Sequence, residues 1–381
     1  MDAFYTERSE GLFKAAAEFG RGRLSPGLKE RDARGELDLA VWQECAEFGL
    51  LGLPVPESYG GVGEELPGIV RTLEGLGYGC LDNGLLFALG AQLWSVEMPI
   101  LLFGSDAQKE RYLPPLAAGR LIGAHAVTEV EAGSDVFSLR TSAVRDGADY
   151  VLEGAKTFIT SAPVAGLFLV LANTDPALGA KGLTAFLVER DAPGLSVSET
   201  DAKMGLRTAP WGTVTLDRCR VSAASVLGNP GGGGAVFAAA MEWERCYILV
   251  PALGAMRRQL ESCIEYARAR RQFGRPIGKN QSVANEIVEM RLRLETSRLL
   301  AYRTASTKQA GRRLTLEPSE VKLHLSESWV RNALGALQIH GAAGYATELG
   351  IERDLRDALA SRIYSGSSAI QRMIIAEFLG L

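Results

Sequence analysis

The stretch AAAMEWERCYILV (238–250) places two glutamates two residues apart among apolar neighbours. At about 100° per helical residue, Phe237, Met241, Glu244 and Ile248 share one narrow stripe, and Glu242 and Cys246 point roughly the other way. Glu244 thus occupies a position where the pattern calls for an apolar side chain. An ionised carboxylate is costly there unless paired, and burial raises its pKa. Arg245 adjoins it in sequence, but adjacent helix residues do not face each other. Two readings stand: a structural ion pair with an arginine elsewhere, or a general base in an apolar site. Glu242 is expected to be exposed or to pair at the surface.

Other stretches suit a bound cofactor. AVTEVEAGSD (126–135) offers the Thr128 and Ser134 hydroxyls, a glycine and closely spaced backbone N–H groups, a set fit for the polar edge of a flavin and for phosphate. The same loop could equally be a turn held by its own Asx and Ser bonds. KTFIT (156–160) puts Phe158 two residues before Thr160 at a strand end, and RARRQFGRPIGKNQ (268–281) carries Phe273 eight residues before Gln281. The segment 338–372 begins Gln-x-x-Gly and ends in a Ser-rich turn. GNPGGGG (228–234) lacks the Lys-Ser/Thr of a phosphate loop and reads as a flexible junction at a domain boundary.

The elements that must position these residues follow an α–β–α order. Residues 1–120 read as helical: 37–53 has helical spacing, and 84–104, apolar nearly all round, reads as a buried core helix broken near Pro99. Residues 121–230 hold short β-rich runs at 150–160, 166–174, 183–191, 195–200 and 212–221, the texture of an antiparallel sandwich or barrel. Residues 231–381 return to long helices, notably 281–311 and 317–340. Composition is that of a soluble globular protein, 47% hydrophobic and 23% charged. A net charge of -4 provides no global attraction for nucleic acid or an anionic membrane. Five scattered cysteines without a CxxC pair suggest reduced thiols in the cytoplasm. The acidic start lacks the build of a signal peptide, and no uninterrupted apolar run approaches the roughly 20 residues of a membrane span.

Taken together, the motifs resemble those of the acyl-CoA dehydrogenase family from end to end. LPVPESYGG (53–61) and GSDAQKERYLPPLAAG (104–119) resemble its N-terminal segments; AVTEVEAGSDVFS fits one signature in full. QIHGAAGYATELGIERDLRD fits another except at Ala342, where glycine or serine is usual. The resemblance implies an α+β fold: an N-terminal helical domain, a middle antiparallel β-barrel domain and a C-terminal four-helix bundle, assembled as a homotetramer or dimer. It implies FAD between the β domain and the bundle. Ala126, Thr128 and Ser134 would bind the flavin and pyrophosphate, Ser134 also touching substrate. Phe158 would stack near the ring, Thr160 would bond near N5, and Ser367 would join them from the Ser-rich turn. Arg270, Phe273, Gln281, Gln338 and Gly341 would hold the adenosine and pyrophosphate, the first three from a neighbouring subunit.

In that family the base commonly lies in a segment like Ile-Tyr-Glu-Gly-Thr. Here the segment is IYSGSS (363–368), and Ser365 stands at the base position. A minority of members carry the glutamate on the first helix of the C-terminal domain, directly before an arginine, as Glu244 precedes Arg245. The vacated base position and the misplaced carboxylate thus answer each other, and Glu244 is the expected base. The Ser365 backbone N–H would remain as a donor to the enolate oxygen. The implied reaction is FAD-dependent α,β-dehydrogenation of a thioester: Glu244 removes the α-proton and the β-hydride passes to the flavin. Trp243, Arg245, Tyr247 and Tyr364 are expected around a compact or branched acyl group. The combination of MEWER with IYSGSS resembles members acting on acyl or prolyl groups tethered to carrier proteins in secondary metabolism. Free short or branched acyl-CoA is the alternative, and a flavin monooxygenase or a non-catalytic flavoprotein on the same fold are further ones. Electrons would leave to electron-transfer flavoprotein or O2. No metal site is expected.

Overall fold

The computed structural model describes residues 6–381. Seven helices come first: α1 Glu7–Phe19, α2 Leu28–Arg34, α3 Leu39–Glu47, α4 Leu66–Gly79, α5 Asn83–Gln92, α6 Met98–Phe103 and α7 Asp106–Ala117. Their starts are written locally: the Asp38 side chain accepts from Ala40 and Val41 N–H, and Ser105 with Gln108 forms a capping box. Between α5 and α6 the chain widens into a π turn, Leu93–Glu97. The helix therefore does not break at Pro99. Pro99 has no N–H for the carbonyl of residue 95, and the irregularity falls one turn earlier, where Met98 N–H donates to Leu93 O, five residues back. The whole stretch Asn83–Phe103 is long and apolar enough to cross a membrane by length and composition. Here it is mostly buried in the core, Trp94 and Val96 completely.

The middle region is a sheet of β1 Gly123–Ala126, β2 Ser142–Asp146, β3 Asp149–Thr160, β4 Leu167–Asn173, β5 Leu183–Glu189, β6 Leu195–Val197, β7 Trp211–Ser222 and β8 Val226–Leu227. Its order is β6-β7-β3-β2-β4-β5-β8, with β1 beside β4. Pairing is antiparallel except for β1 with β4 and a single β2–β4 contact, which are parallel. One extra residue on β3 between Lys156 and Ile159 makes a bulge, with Phe158 in the left-handed region at φ 58°.

Helices α8 Gly233–Tyr247, α9 Val250–Ala269, α10 Gln281–Gln309, α11 Glu317–His340, α12 Ala342–Tyr345, α13 Ile351–Ala360 and α14 Ser368–Phe378 complete the chain, with a two-stranded hairpin, β9 Arg271–Gln272 and β10 Arg275–Pro276, before α10. α9, α10 and α11 pack on one another, and α13 and α14 lie against α11. The glycine run before α8 is a packed joint, not a loose one. Gly231 N–H donates to Thr184 Oγ1 at 2.9 Å, and a Cβ on Gly233 would stand 2.8 Å from Leu183 backbone and Leu171. Glycine lets the start of α8 rest directly on β4 and β5. Both flanks of α8 are covered, so Cys246, opposite the expected stripe, is also buried.

Candidate active site

Three separate elements converge on Glu244. The residue sits near the C-terminal end of α8, 7% exposed. Ser95, from the π turn, donates its hydroxyl to Oε2, and Ser365, from the turn between α13 and α14, donates to Oε1. Burial raises the Glu244 pKa, and the Ser365 and Ser95 hydrogen bonds, then the nearby charges of Arg245 and Lys322, oppose that rise. No ion pair to Glu244 is formed among the described residues. Glu242, on the outer side of α8, pairs with Lys308.

The Ser365–Gly366 turn is backbone-strained and tightly held. Ser365 has φ 55° and Gly366 φ 81°. The buried Gln371 amide donates to Ser365 O at 3.1 Å and to Gly366 O at 2.9 Å. A Cβ on Gly366 would meet Gln371 Nε2 at 2.5 Å, so glycine is needed there for space as well as for conformation. The Ser365 N–H has no protein acceptor among the described residues and borders the cavity. Beneath the turn the Lys322 ammonium, fully buried, donates to Ser361 O at 2.5 Å and lies 5.3 Å from the Tyr364 ring centre. Burial pulls its pKa down to about 7, against the upward pull of Glu244.

The opposite wall comes from the sheet. Glu129 and Lys156 form a buried pair at 2.7 Å; Glu129 also accepts Arg140 N–H at 2.6 Å and Thr141 N–H at 2.9 Å. Thr157 N–H donates to Thr128 O at 2.9 Å. These bonds tie the 126–135 loop to β3 and set Thr128, Ser134, Phe158 and Thr160 on one wall. The cavity enclosed is about 340 Å³. The hydroxyls of Thr128, Ser134 and Thr160 have no protein partner among the described residues, and His125 Nε2 and Arg245 Nε on the cavity wall are buried without one. A ligand with a flat aromatic body and heteroatom edges fits such a wall, with Phe158, 54% exposed, offering its ring.

The structure brings Thr128, Ser134, Phe158, Thr160, Glu244, Arg245, Tyr364 and Ser365 together around this cavity. Ala126 is buried on β1 behind the wall, and Ser367 caps α14 one residue beyond the lining turn. Trp243 and Tyr247 do not line it. They pack with Trp94, at ring separations of 6.0 and 5.1 Å, because their positions on α8 face the π turn. Arg270, Phe273 and Gln281 are exposed on the hairpin and the start of α10, and Gln338 and Gly341 at the end of α11; none reaches this cavity. Ala342 is likewise exposed, after a Gly341 at φ 58°, ψ -134°.

Family models for the acyl-CoA dehydrogenase N-terminal, middle and C-terminal domains match residues 6–120, 124–219 and 231–380. The chain belongs to the acyl-CoA dehydrogenase family. Within that family it is 43% identical to an L-prolyl-[peptidyl-carrier protein] dehydrogenase of Pseudomonas fluorescens strain Pf-5, over 89% of this chain and 90% of that protein. It is similar to the crystal structure of the prolyl acyl carrier protein oxidase AnaB, with TM-score 0.97 and 47% identity over 99% of this chain and 100% of that one. Its similarity to PigA, solved with FAD and proline, has TM-score 0.97 and 36% identity over the full length of both.

Several groups in this member of the acyl-CoA dehydrogenase family escape sequence reasoning. Ser95 lies in a helix that reads as core, Lys322 in one of the long C-terminal helices, and His125 in a short strand. A proline four residues after Ser95 was the only local sign of an irregular turn there. Glu129 and Lys156 carried a weak signal, charges at otherwise apolar strand and loop positions.

Proposed function

We propose that this chain is an FAD-dependent dehydrogenase of thioesters, and that its substrate is an L-prolyl group carried on a peptidyl carrier protein. One observation carries the reading: a buried carboxylate, Glu244, faces the cavity while serine occupies position 365. The prolyl-carrier activities of the Pseudomonas relative and of AnaB support the carrier-tethered prolyl group. PigA's structure with FAD, and the three unpartnered hydroxyls on the cavity wall, support the cofactor.

Thr128, Ser134 and Thr160 would hold the polar edges of the ring system, Phe158 its face, and Ala126 and Ser367 the adjoining backbone. Bound FAD supplies the acceptor for the hydride that leaves the β-carbon. Glu244 accepts the α-proton; the Cα–H electron pair moves into the new Cα–Cβ double bond as the β-hydrogen departs with its own pair. Negative charge gathers on the thioester oxygen in this step, and the unpaired Ser365 N–H is a pre-aimed donor for it. Arg245, with its Nε unpartnered, adds positive potential on the same wall. The Phe87 and Tyr364 rings, 4.4 Å apart, border the cavity and favour a compact acyl group. Arg270, Phe273 and Gln281 would serve the cofactor of a neighbouring copy, with Gln338 and Gly341 also at its adenosine and pyrophosphate, and the working form would then be a dimer or tetramer. Electrons then leave to electron-transfer flavoprotein or O2. A monooxygenase has no use for a buried carboxylate at this place.

The test is an anaerobic absorbance titration of the yellow holoprotein with L-prolyl-carrier protein beside short and branched acyl-CoAs. Bleaching by the prolyl carrier, lost in Glu244→Gln, is the expected result. Bleaching by acyl-CoA alone would assign the free thioester instead, and equal bleaching in the variant would remove Glu244 as the base.

A further inference from the structure

Among the described residues, every hydrogen bond that Glu244's carboxylate receives comes from a hydroxyl. Ser95 holds Oε2 and Ser365 holds Oε1. We propose that Ser95 and Ser365 are positioning residues for the base, a pair of hydroxyls that fixes the Glu244 carboxylate in one orientation and satisfies it with or without the proton. The proposal rests on the reading of Glu244 as the base.

Both hydroxyls arrive through irregular backbone. Ser95 is in the π turn, and single π turns inside α-helices recur at functional sites. Ser365 is a non-glycine residue in the left-handed region, a conformation that persists only where its surroundings over-determine it. Gln371 supplies that restraint with its two bonds to the turn.

The charged and titratable groups around Glu244 are Arg245 on α8, Lys322 on α11, Tyr364 beside the turn and His125 on β1. None of them hydrogen-bonds to the carboxylate among the described residues; Lys322 is committed to Ser361 O and Arg245 Nε is unpartnered. The choice has a chemical consequence. An ammonium or guanidinium in contact could only donate, so it would hold the carboxylate, weaken it as a base and oppose the protonated form. A hydroxyl donates to the carboxylate and, by rotating, accepts from the carboxylic acid. The proton taken from the α-carbon is then held without moving the glutamate. Serine at 365 is thus a supporting group in a place where a second carboxylate would crowd the first and force one to stay protonated.

The test uses the flavin-loaded holoenzyme. Ser95→Ala and Ser365→Ala are compared with wild type in the pH dependence of anaerobic bleaching by L-prolyl-carrier protein. The protonated-carboxyl infrared band that Glu244→Gln lacks is titrated in parallel without substrate. Each hydroxyl favours the charged form, so its loss raises the apparent pKa of the base by on the order of one unit. Bleaching at neutral pH falls by up to about tenfold accordingly. Threonine at position 95, where the backbone is helical, restores the profile. Cysteine, which fills the space with a weak donor, shifts it as alanine does and gives the same reading where an alanine variant fails to fold. A profile and a band unmoved by loss of either hydroxyl overturn the clamp while leaving the base intact. A Glu244→Gln enzyme as fast as wild type overturns the base and the clamp together.

Discussion

Glu129→Gln tests how the sheet wall is held. In the native pair the Lys156 ammonium is fully buried, 2.7 Å from Glu129 and 3.1 Å from Val127 O, and burial pulls its pKa down to about 8 despite the partner. With the carboxylate gone, the cheapest response at pH 7 is loss of the lysine proton. From a pKa of about 8, that costs about 1–2 kcal/mol at 1.4 kcal/mol per unit. Glutamine keeps one acceptor oxygen, so one of the two N–H groups of Arg140 and Thr141 loses its partner, at about 1–3 kcal/mol. The sum is roughly 2–5 kcal/mol. Over 381 residues at about 2 cal/mol/K each, this lowers the Tm by roughly 3–6 °C. The pH signature is sharper than the total. Lys156 is depressed in the fold, so stability rises with pH above its folded pKa: the variant, neutral at Lys156 by pH 7, gains over the whole interval to pH 9, and the wild type gains only above about 8. The gap between them must therefore shrink by about 1–2 kcal/mol from pH 7 to pH 9. Denaturant titrations at both pH values, with flavin absorbance reporting the wall, measure it. A gap that is constant with pH, or a variant as stable as wild type, would refute the argument.

Other changes read other parts of the structure. Glu97, fully buried with Oε2 unpartnered, has its pKa pushed up to about 8, so wild type loses stability as pH rises from the unfolded carboxylate range to that value. Glu97→Gln should be more stable, by up to about 3 kcal/mol at pH 7 and by under about 1 at pH 5, in denaturant titrations. Gly366→Ala forces a left-handed alanine against Gln371; a loss of roughly 1–3 kcal/mol and slower bleaching by L-prolyl-carrier protein are expected from thermal melts and stopped flow. Tyr247→Phe removes a buried hydroxyl without a partner, so stability should change by less than about 1 kcal/mol and bleaching should be unaltered. Phe273→Ala, at a side chain 95% exposed, should leave the denaturation midpoint unchanged while lowering the flavin-to-protein absorbance ratio.

Local information in the chain was enough for much of the site. Short-range geometry wrote the helical stripe that made Glu244 anomalous, and the loop and strand signatures around Thr128, Ser134, Phe158 and Thr160 needed only neighbours in sequence. Aromatic residues were harder. Trp243 and Tyr247 are one and three residues from Glu244, yet they pack on Trp94, because a helix covered on both flanks gives periodicity no way to tell the cavity side from the core side. The glycine run read as flexible because glycine permits freedom and close packing equally, and only the approach of β4 and β5 decides between them.

The amino-acid sequence by itself determined the α–β–α order and the family, and singled out the carboxylate we propose as the base, since each is written in residue types within a few turns of one another. The tertiary structure alone decided what holds that carboxylate. Ser95 and Ser365 stand 149 and 121 residues from Glu244, and nothing in the local pattern of either predicts the meeting. Their contact depends on a π turn beside Pro99, a strained turn pinned by Gln371, and the seating of α8 on the sheet. Each of these is settled by packing between distant segments.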